Sequence, residues 1–157
     1  MAHRKVLDGS SPRLRAVSKP VKKINRHIID VLDDMAQTMY EERGIGLAAP
    51  QIGVTRRMIV LDVGDGLMEL INPEIISEEG QQREVEGCLS FDDERGYVIR
   101  PEKIVVRAQD RNGTEHEYTG TGLLARVLAH EIDHLDGVLF VDKVIEWAEK
   151  AESEDDL

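Results

Sequence analysis

The stretch LLARVLAHEIDHLDG, residues 123–137, decides both the fold and the chemistry of this chain. Four of its side chains recur at helical spacing: Leu123, Val127, His130 and His134. Residues four apart on an α-helix share a face, so His130 and His134 aim two imidazole nitrogens at one point. Glu131 projects beside them and completes H-E-x-x-H, a pattern of two metal ligands and a proton-handling carboxylate. The alternative is a solvated helix on which these side chains have no function.

The composition is that of an ordinary soluble globule, with 157 residues, 41% apolar and 32% charged. We expect one domain over residues 1–157 with a frayed acidic tail at about 150–157. A net charge of -11 argues against DNA, RNA or an anionic membrane as the main ligand. The sequence shows no apolar run of the ~20 residues that a membrane span needs and no signal-peptide core. We therefore expect a cytoplasmic protein, in agreement with its single cysteine.

Periodicity and turn residues predict the remaining elements, an α+β set of helices and antiparallel strands. An apolar stripe predicts a long helix over 22–42 that packs outside the metal-binding helix. The other predicted elements are a hairpin of strands 58–63 and 68–76, strands at 98–99 and 104–107, a polar edge strand at 114–119, and a terminal helix at 145–151.

A catalytic metal usually takes three protein ligands, so a third is needed beside the two histidines. The H-E-x-x-H-x-x-G-x-x-H pattern fails, because Phe140 stands where its third histidine should be. A downstream glutamate is a second option, but Glu146, Glu149 and Glu152 lie in a charged run that is typical of a solvated face. Cys88 completes a plausible Cys-His-His set, although a lone cysteine is more often a buried, inert side chain.

A glycine-rich stretch, GIGLAAPQIG at 44–53, lets the backbone approach another group closely. It lacks the Gly-Lys-Ser/Thr ending of a phosphate-binding loop. Two interpretations stay open at this point. The loop either pairs its backbone with a substrate while Gln51 offers its amide, or it is only a structural turn.

Three separate motifs, GIGLAAPQ at 44–51, EGCLS at 86–90 and HEIDHLDG at 130–137, together resemble the signature motifs of the peptide deformylases. Their order and spacing match that family, and RGYVIRP at 95–101 resembles it too. The resemblance covers nearly the whole chain. It implies an α+β domain with antiparallel strands around a central H-E-x-x-H helix, and hydrolytic removal of formate from N-terminal formyl-methionine.

The resemblance also implies a role for each matching residue. Cys88, His130 and His134 would hold the metal, and Glu131 would be the general acid and base. The Gln51 side-chain amide and the Leu89 backbone N–H would stabilise the oxyanion. The implied substrate-binding residues are Ile45, Gly46, Gly87, Leu123 and Val127, and Arg126 occupies a further position of that pocket with a residue unlike the family's usual one.

The implied cofactor is one divalent metal ion, with Fe2+ favoured in the cell and Zn2+, Ni2+ or Co2+ as alternatives. The implied partners are N-formyl-methionyl nascent polypeptides, met at the ribosome or after release, with no DNA and no membrane. A metallopeptidase using the same H-E-x-x-H motif and an inactive metal-binding paralogue are the alternative functions. The presence of both Glu131 and Gln51 argues against a paralogue that only binds metal.

Two positions depart from the family's usual pattern. The segment 91–93, Phe-Asp-Asp, follows the cysteine motif where a small apolar residue and a proline are common. Arg126 stands where an apolar residue commonly lines the methionine pocket. We expect Arg126 either to line that pocket with its stem or to pair at the rim with Glu84 or Glu86. Glu86 and Asp133 are expected either to orient a ligating imidazole or an arginine, or to be surface charges.

Overall fold

The computed structural model describes residues 2–148, so the predicted acidic tail lies outside the described residues. Within them the chain forms two α-helices and eight β-strands. In chain order these are α1 Arg26–Glu41, β1 Gly46–Ala48, β2 Met58–Leu61, β3 Met68–Glu79, β4 Gln82–Cys88, β5 Phe91–Arg100, β6 Lys103–Gln109, β7 Glu115–Thr121, α2 Gly122–Leu135 and β8 Val144–Trp147. Short 3-10 turns occupy Pro12–Arg15, Ala49–Ile52 and Phe140–Asp142.

Five strands form one antiparallel sheet in the order β1-β2-β3-β6-β7. The predicted hairpin is confirmed, because β2 pairs with β3 from Met58 opposite Ile71 to Leu61 opposite Met68. The predicted polar edge strand is confirmed as β7, which pairs only with β6 in the described sheet. Alternation of apolar and polar residues along β6 buries Ile104, Val106 and Ala108 against the core.

The second sheet has three strands in the order β4-β5-β8. Its strand β8 corrects the prediction of a terminal helix, because Val144–Trp147 is extended and pairs with β5. The side chain of Val144 fills the space that Gly96 leaves open in β5, and this pairing overrides the local helical pattern. Residues 149–151 of the predicted helix lie outside the described part.

Helix α2 runs through the centre, and its apolar side chains share one core cluster with the five-stranded sheet. Helix α1 packs on the other side of β1 and β2 through a second cluster. It is shorter than predicted because the Asn25 side chain caps it by accepting a hydrogen bond from the Ile28 N–H at 3.1 Å. The α+β fold with antiparallel strands around the H-E-x-x-H helix is therefore confirmed.

Helices α1 and α2 span 16 and 14 residues. Over residues 2–148, no helix is both long and apolar enough to cross a membrane.

Candidate metal centre and active site

Three potential metal ligands converge in the interior. Cys88 lies at the end of β4, whereas His130 and His134 come from successive turns of α2. One ligand atom from each of the three lies within 4.8 Å of the others, and all three side chains are buried. The Cys88 Sγ is 3.5 Å from the His134 Nε2. The arrangement brings together the Cys-His-His set that the sequence suggested, with the buried cysteine at the end of a strand.

One ring nitrogen of His130 is hydrogen-bonded, and the other is available to a cation. His130 Nδ1 lies 2.9 Å from the Glu86 Oε1, while its buried Nε2 has no hydrogen-bond partner among residues 2–148. An imidazole held by a carboxylate through one nitrogen and open at the other is the usual arrangement around a bound metal. A thiol and two imidazoles are also a donor set that suits Fe2+ and Zn2+. The residues present therefore fit a divalent metal ion.

The two histidines differ in their ionisation when no metal is bound. Burial, followed by the charge on His130, lowers the pKa of His134, so His134 is neutral and able to ligate. Burial also opposes a charge on His130, but the neighbouring Cys88 and Glu86 outweigh it and raise the pKa of His130 to about 10. Metal binding releases such protons, since only the neutral imidazole is a ligand.

A buried ion-pair network supports His130 from behind. Arg100 donates two hydrogen bonds to Glu86, both 2.9 Å long, and a third to Asp133 at 2.6 Å. Burial alone would raise the pKa of Glu86, but its bonds to Arg100 and then to His130 lower that pKa to about 2. Glu86 therefore holds the ring of His130 as an ionised carboxylate. Asp133 contacts the arginine and Lys143 rather than an imidazole.

Arg100 is the functional residue that the sequence reasoning missed. It lies at the end of β5, and its side chain is almost fully buried. The signal was present in the 95–101 motif, where an arginine follows a strand of alternating pattern. Its partner Glu86 lies opposite Gly96 on the paired strand β4, so only strand pairing brings the two together.

Glu131 is fully buried, and neither carboxylate oxygen has a hydrogen-bond partner in the described part of the chain. Burial raises the pKa of Glu131 to about 7. The charge of His130 lowers this pKa and the charge of Glu86 raises it, and both effects are smaller than that of burial. One oxygen faces Gly46, where a Cβ atom would lie 2.5 Å from it. A carboxylate that ionises near neutral pH and sits one residue from a ligand is suited to proton transfer.

The side-chain amide of Gln51 has a fixed orientation. Its oxygen accepts a hydrogen bond from the Ala48 N–H at 3.0 Å, and this leaves only the nitrogen to face the metal ligands. That nitrogen donates to the Ser90 Oγ at 3.1 Å and to the Cys88 Sγ at 3.4 Å. Thiol sulfur is a weak acceptor, so the N–H aimed at Cys88 is available to a stronger one.

Leu89 lies in the two-residue turn between β4 and β5, directly after Cys88. Its side chain is half-buried and packs on Gly44, where a Cβ would approach the leucine Cδ1 to 2.6 Å. The turn thus lies beside the glycine-rich segment, as the predicted pairing of Gln51 and Leu89 requires.

Strands β1 and β4 are both edge strands of their sheets over the described residues. The Ile45 carbonyl accepts a hydrogen bond from the Asp62 N–H, so by the alternation of an antiparallel strand the backbone groups of Gly46 face the open edge. On β4, Gly87 leaves space for the side chain of Arg95. Both strands therefore offer an unpaired edge near the ligands.

The predicted pocket residues of α2 have different surroundings. Val127 is buried and approaches Gly46, and Leu123 is half-buried against the core cluster. Arg126 is half-buried and donates a hydrogen bond to the Val85 carbonyl at 3.2 Å. It therefore bridges α2 to β4 through the backbone, whereas the candidate partner Glu86 is engaged by Arg100 and His130.

The residues considered in place of Cys88 as a third ligand have other contacts in the described part of the chain. Phe140 stacks on the His130 ring with centroids 6.0 Å apart, and Phe91 meets Phe140 edge-on at 5.6 Å. Glu146 is exposed and pairs with Arg83 at 3.2 Å. Glu149 and Glu152 lie outside the described part of the chain.

Comparisons with known proteins identify a consistent set of relatives. The polypeptide deformylase family model matches residues 3–150. A peptide deformylase from Caldanaerobacter subterraneus subsp. tengcongensis is 56% identical over 98% of this chain and 97% of the relative, and one from Acetivibrio thermocellus is 53% identical over 98% and 91%. The crystal structure of a peptide deformylase from Legionella pneumophila superposes with a TM-score of 0.89 and 46% sequence identity. The match covers 91% of this chain and 86% of that protein. The crystal structure of the Ehrlichia chaffeensis peptide deformylase in complex with actinonin superposes with a TM-score of 0.90 and 36% sequence identity. The match covers 92% of this chain and 90% of that protein.

Proposed function

The chain belongs to the peptide deformylase family, metal-dependent hydrolases that act on the N-formyl-methionine of nascent chains, and we propose which of its residues carry out that reaction. The observation that carries the assignment is the convergence of Cys88, His130 and His134 within 4.8 Å, with the Glu131 carboxylate buried beside them. We treat residues 1–157 as one catalytic domain in the cytoplasm, where nascent chains are made.

Cys88, His130 and His134 hold one divalent metal in this proposal. A metal in this position supplies a Lewis acid that lowers the pKa of a coordinated water from about 15.7 towards ~7. Fe2+ is the favoured ion, with Zn2+, Ni2+ and Co2+ as alternatives, because a thiolate ligand softens the site without excluding any of them. Glu86 and Arg100 keep the ring of His130 in the orientation that points its Nε2 at the ion.

Glu131 accepts a proton from the attacking water and returns it to the leaving amine. A pKa raised to about 7 by burial lets the carboxylate hold the proton during the first step and release it during the second. The absence of other hydrogen-bond partners for its oxygens in the described chain supports this role, because nothing there competes for the proton.

Gln51 and Leu89 stabilise the negative charge that develops on the formyl oxygen. The Gln51 nitrogen already faces Cys88, and the Leu89 N–H lies on the turn next to the same cysteine. Donors held in place before the reaction are worth roughly 3–4 kcal/mol each in the transition state. Their fixed geometry favours the transition state over the planar substrate.

The formylated peptide adds as an extended strand to the open edge at Gly46, with Ile45 and Gly87 on either side. Leu123, Val127 and the stem of Arg126 line the pocket for the methionine side chain. We place the encounter with the substrate at the ribosome or soon after release. Since actinonin is bound in the Ehrlichia chaffeensis structure, we also propose that it binds this chain.

The test combines metal analysis of anaerobically purified protein with formate release from a formyl-Met peptide. Cys88→Ala should lose stoichiometric metal and activity together, while Glu131→Gln should keep the metal and lose most turnover. Glu84→Gln is the matched control, because Glu84 is an exposed glutamate on β4, the strand that ends at Cys88. This variant should behave as the wild type. Full metal occupancy in Cys88→Ala would remove Cys88 from the site, and release of methionine instead of formate would indicate a peptidase.

A further inference from the structure

The first described residues, 2–9, form an N-terminal strap that crosses from helix α1 to the active site. At one end, the Ala2 N–H donates to the Asp34 carboxylate at 2.7 Å, and the Arg4 N–H donates to the Thr38 hydroxyl at 2.8 Å. Arg4 adds an ion pair to Asp34 at 2.8 Å. This end of the strap is therefore fixed to a rigid helix.

The other end of the strap binds two backbone carbonyls of the active site. The Leu7 N–H donates to the Gln51 carbonyl at 2.7 Å, and the Gly9 N–H donates to the Ser90 carbonyl at 2.8 Å. These same two residues are joined by a side-chain hydrogen bond, from the Gln51 amide to the Ser90 hydroxyl. The strap, Gln51 and Ser90 thus form a closed set of contacts.

Ser90 has no place in the chemistry described above, yet its side chain is almost fully buried. Its hydroxyl holds one N–H of the Gln51 amide, while the Ala48 N–H holds the amide oxygen. With these two atoms held, the remaining N–H has a single direction, towards Cys88. A donor fixed before the reaction stabilises an oxyanion without a reorganisation cost.

We propose that Ser90 is a positioning residue for the Gln51 amide, and that the strap holds the pair in register through Leu7 and Gly9. This inference rests on the proposed role of Gln51 as an oxyanion donor. The strap contacts Gln51 and Ser90 through their backbone carbonyls, so it acts on the amide by holding these two residues in place.

Gly9 provides a minimal way to disturb the strap. A Cβ atom on Gly9 would overlap the ring of Phe91, whereas the backbone of Gly9 is outside the left-handed region and accepts alanine. The added methyl group of Gly9→Ala therefore displaces either the strap or Phe91, which follows the turn. Replacement of Phe91 by leucine shortens that side chain and makes room for the methyl group.

The experiment measures kcat and KM for a formyl-Met peptide, metal content, and the Kd of the deformylated product. Ser90→Ala and Gly9→Ala should each lower kcat about tenfold, since small misplacements of a catalytic group cost this much or more. Metal content, product Kd and KM should stay within about twofold. Gly9→Ala/Phe91→Leu should recover most of the lost kcat relative to Phe91→Leu alone.

Double variants with Gln51→Ala decide between the explanations. If Ser90 acts through Gln51, Ser90→Ala should lower kcat by less than about twofold in the Gln51→Ala background. An equal loss in both backgrounds would overturn the inference, as would an unchanged kcat in Ser90→Ala. If Gln51→Ala itself retained wild-type kcat, the oxyanion role in the proposed function would be wrong, which is a separate outcome.

Discussion

Gly46 and Glu131 lie against each other, with no room for a side chain at position 46. A Cβ atom there would be 2.5 Å from the Glu131 Oε2 and 3.0 Å from the Val127 Cγ1. The carboxylate is thus placed by a glycine on an edge strand as well as by its own helix. The backbone of Gly46 is outside the left-handed region, so steric space and not backbone strain explains the glycine.

Gly46→Ala should lower kcat by at least tenfold, on the order of the loss from a misplaced catalytic group. The added methyl group displaces the Glu131 carboxylate but leaves Cys88, His130 and His134 in place. Formate release and metal content measured on the same preparation check this result. The control is Gly46→Ala/Val127→Ala, which relieves the clash with Val127 only. Recovery of kcat in that double variant would attribute the loss to Val127.

Arg100→Met should destabilise the protein strongly, because it leaves Glu86 as an unpaired buried carboxylate. Breaking a buried ion pair from one side costs about 3–5 kcal/mol of unfolding free energy. Metal affinity should also fall, by roughly 10–100-fold, since Glu86 then no longer holds His130 firmly. Urea unfolding and competition with a chelator measure the two effects.

Lys143→Met is the matched control for Arg100→Met. Lys143 pairs with Asp133 on the more exposed side of the same network at 2.9 Å. A partly solvated pair contributes at most about 1 kcal/mol, so this variant should keep both stability and metal affinity. Equal losses in the two variants would mean that the buried pair of Arg100 with Glu86 contributes no more than the partly exposed pair of Lys143 with Asp133.

Arg126→Leu should leave recognition of methionine intact and change the preference for the next residue slightly. The Arg126 guanidinium is tied to the Val85 carbonyl near the pocket, and its positive charge favours an acidic side chain in the substrate. The effect should be at most about 1 kcal/mol and should shrink as salt rises. The measurement is kcat/KM for formyl-Met-Asp against formyl-Met-Lys peptides at low and high salt. Identical ratios in both proteins at low salt would place Arg126 outside the reach of the substrate.

Tyr40 should titrate at unusually high pH. Partial desolvation of the half-exposed Tyr40, followed by its hydrogen bond to Asp62 at 2.7 Å, raises the pKa of Tyr40 to about 12. Because the folded-state pKa is raised, the stabilisation is complete below the ordinary value of about 10 and is lost as pH rises through 12. Tyrosinate absorbance, compared with that of Tyr40→Phe, reports this titration. Asp62→Asn should lower the pKa of Tyr40, and an unchanged midpoint would remove Asp62 as a cause.

The metal-binding helix was predictable because its information is local. His130, Glu131 and His134 lie within five residues, and helical spacing alone places them on one face. The hairpin of β2 and β3 was predictable for the same reason, since Gly64 and Gly66 mark its turn. Cys88 and Gln51 could be proposed from the residues only as open alternatives, because no local pattern relates residues so far apart, and the three motifs together were needed to choose between them.

The elements that were missed depend on pairing across the fold. Strand β8 has a helical pattern of charges, but its place beside Gly96 in β5 gives it partners that no local signal shows. Strand β4 is polar over its first residues, and its position at a sheet edge explains that composition. Arg100 was missed because its role depends on Glu86, which becomes its neighbour only when β4 and β5 pair.

The N-terminal strap and the proposed ligands join parts of the chain that lie far apart in sequence. The strap precedes its partners Gln51 and Ser90 in the chain, and the two histidines come after both. Cys88 and His134 are separated by 46 residues, and such distant contacts require a long loop to close before they stabilise anything. No nascent fragment that ends before His134 can assemble the three ligands. The three proposed ligands can therefore come together only when α2 is present, and the sheet of β4 and β5 is complete only when β8 has followed it.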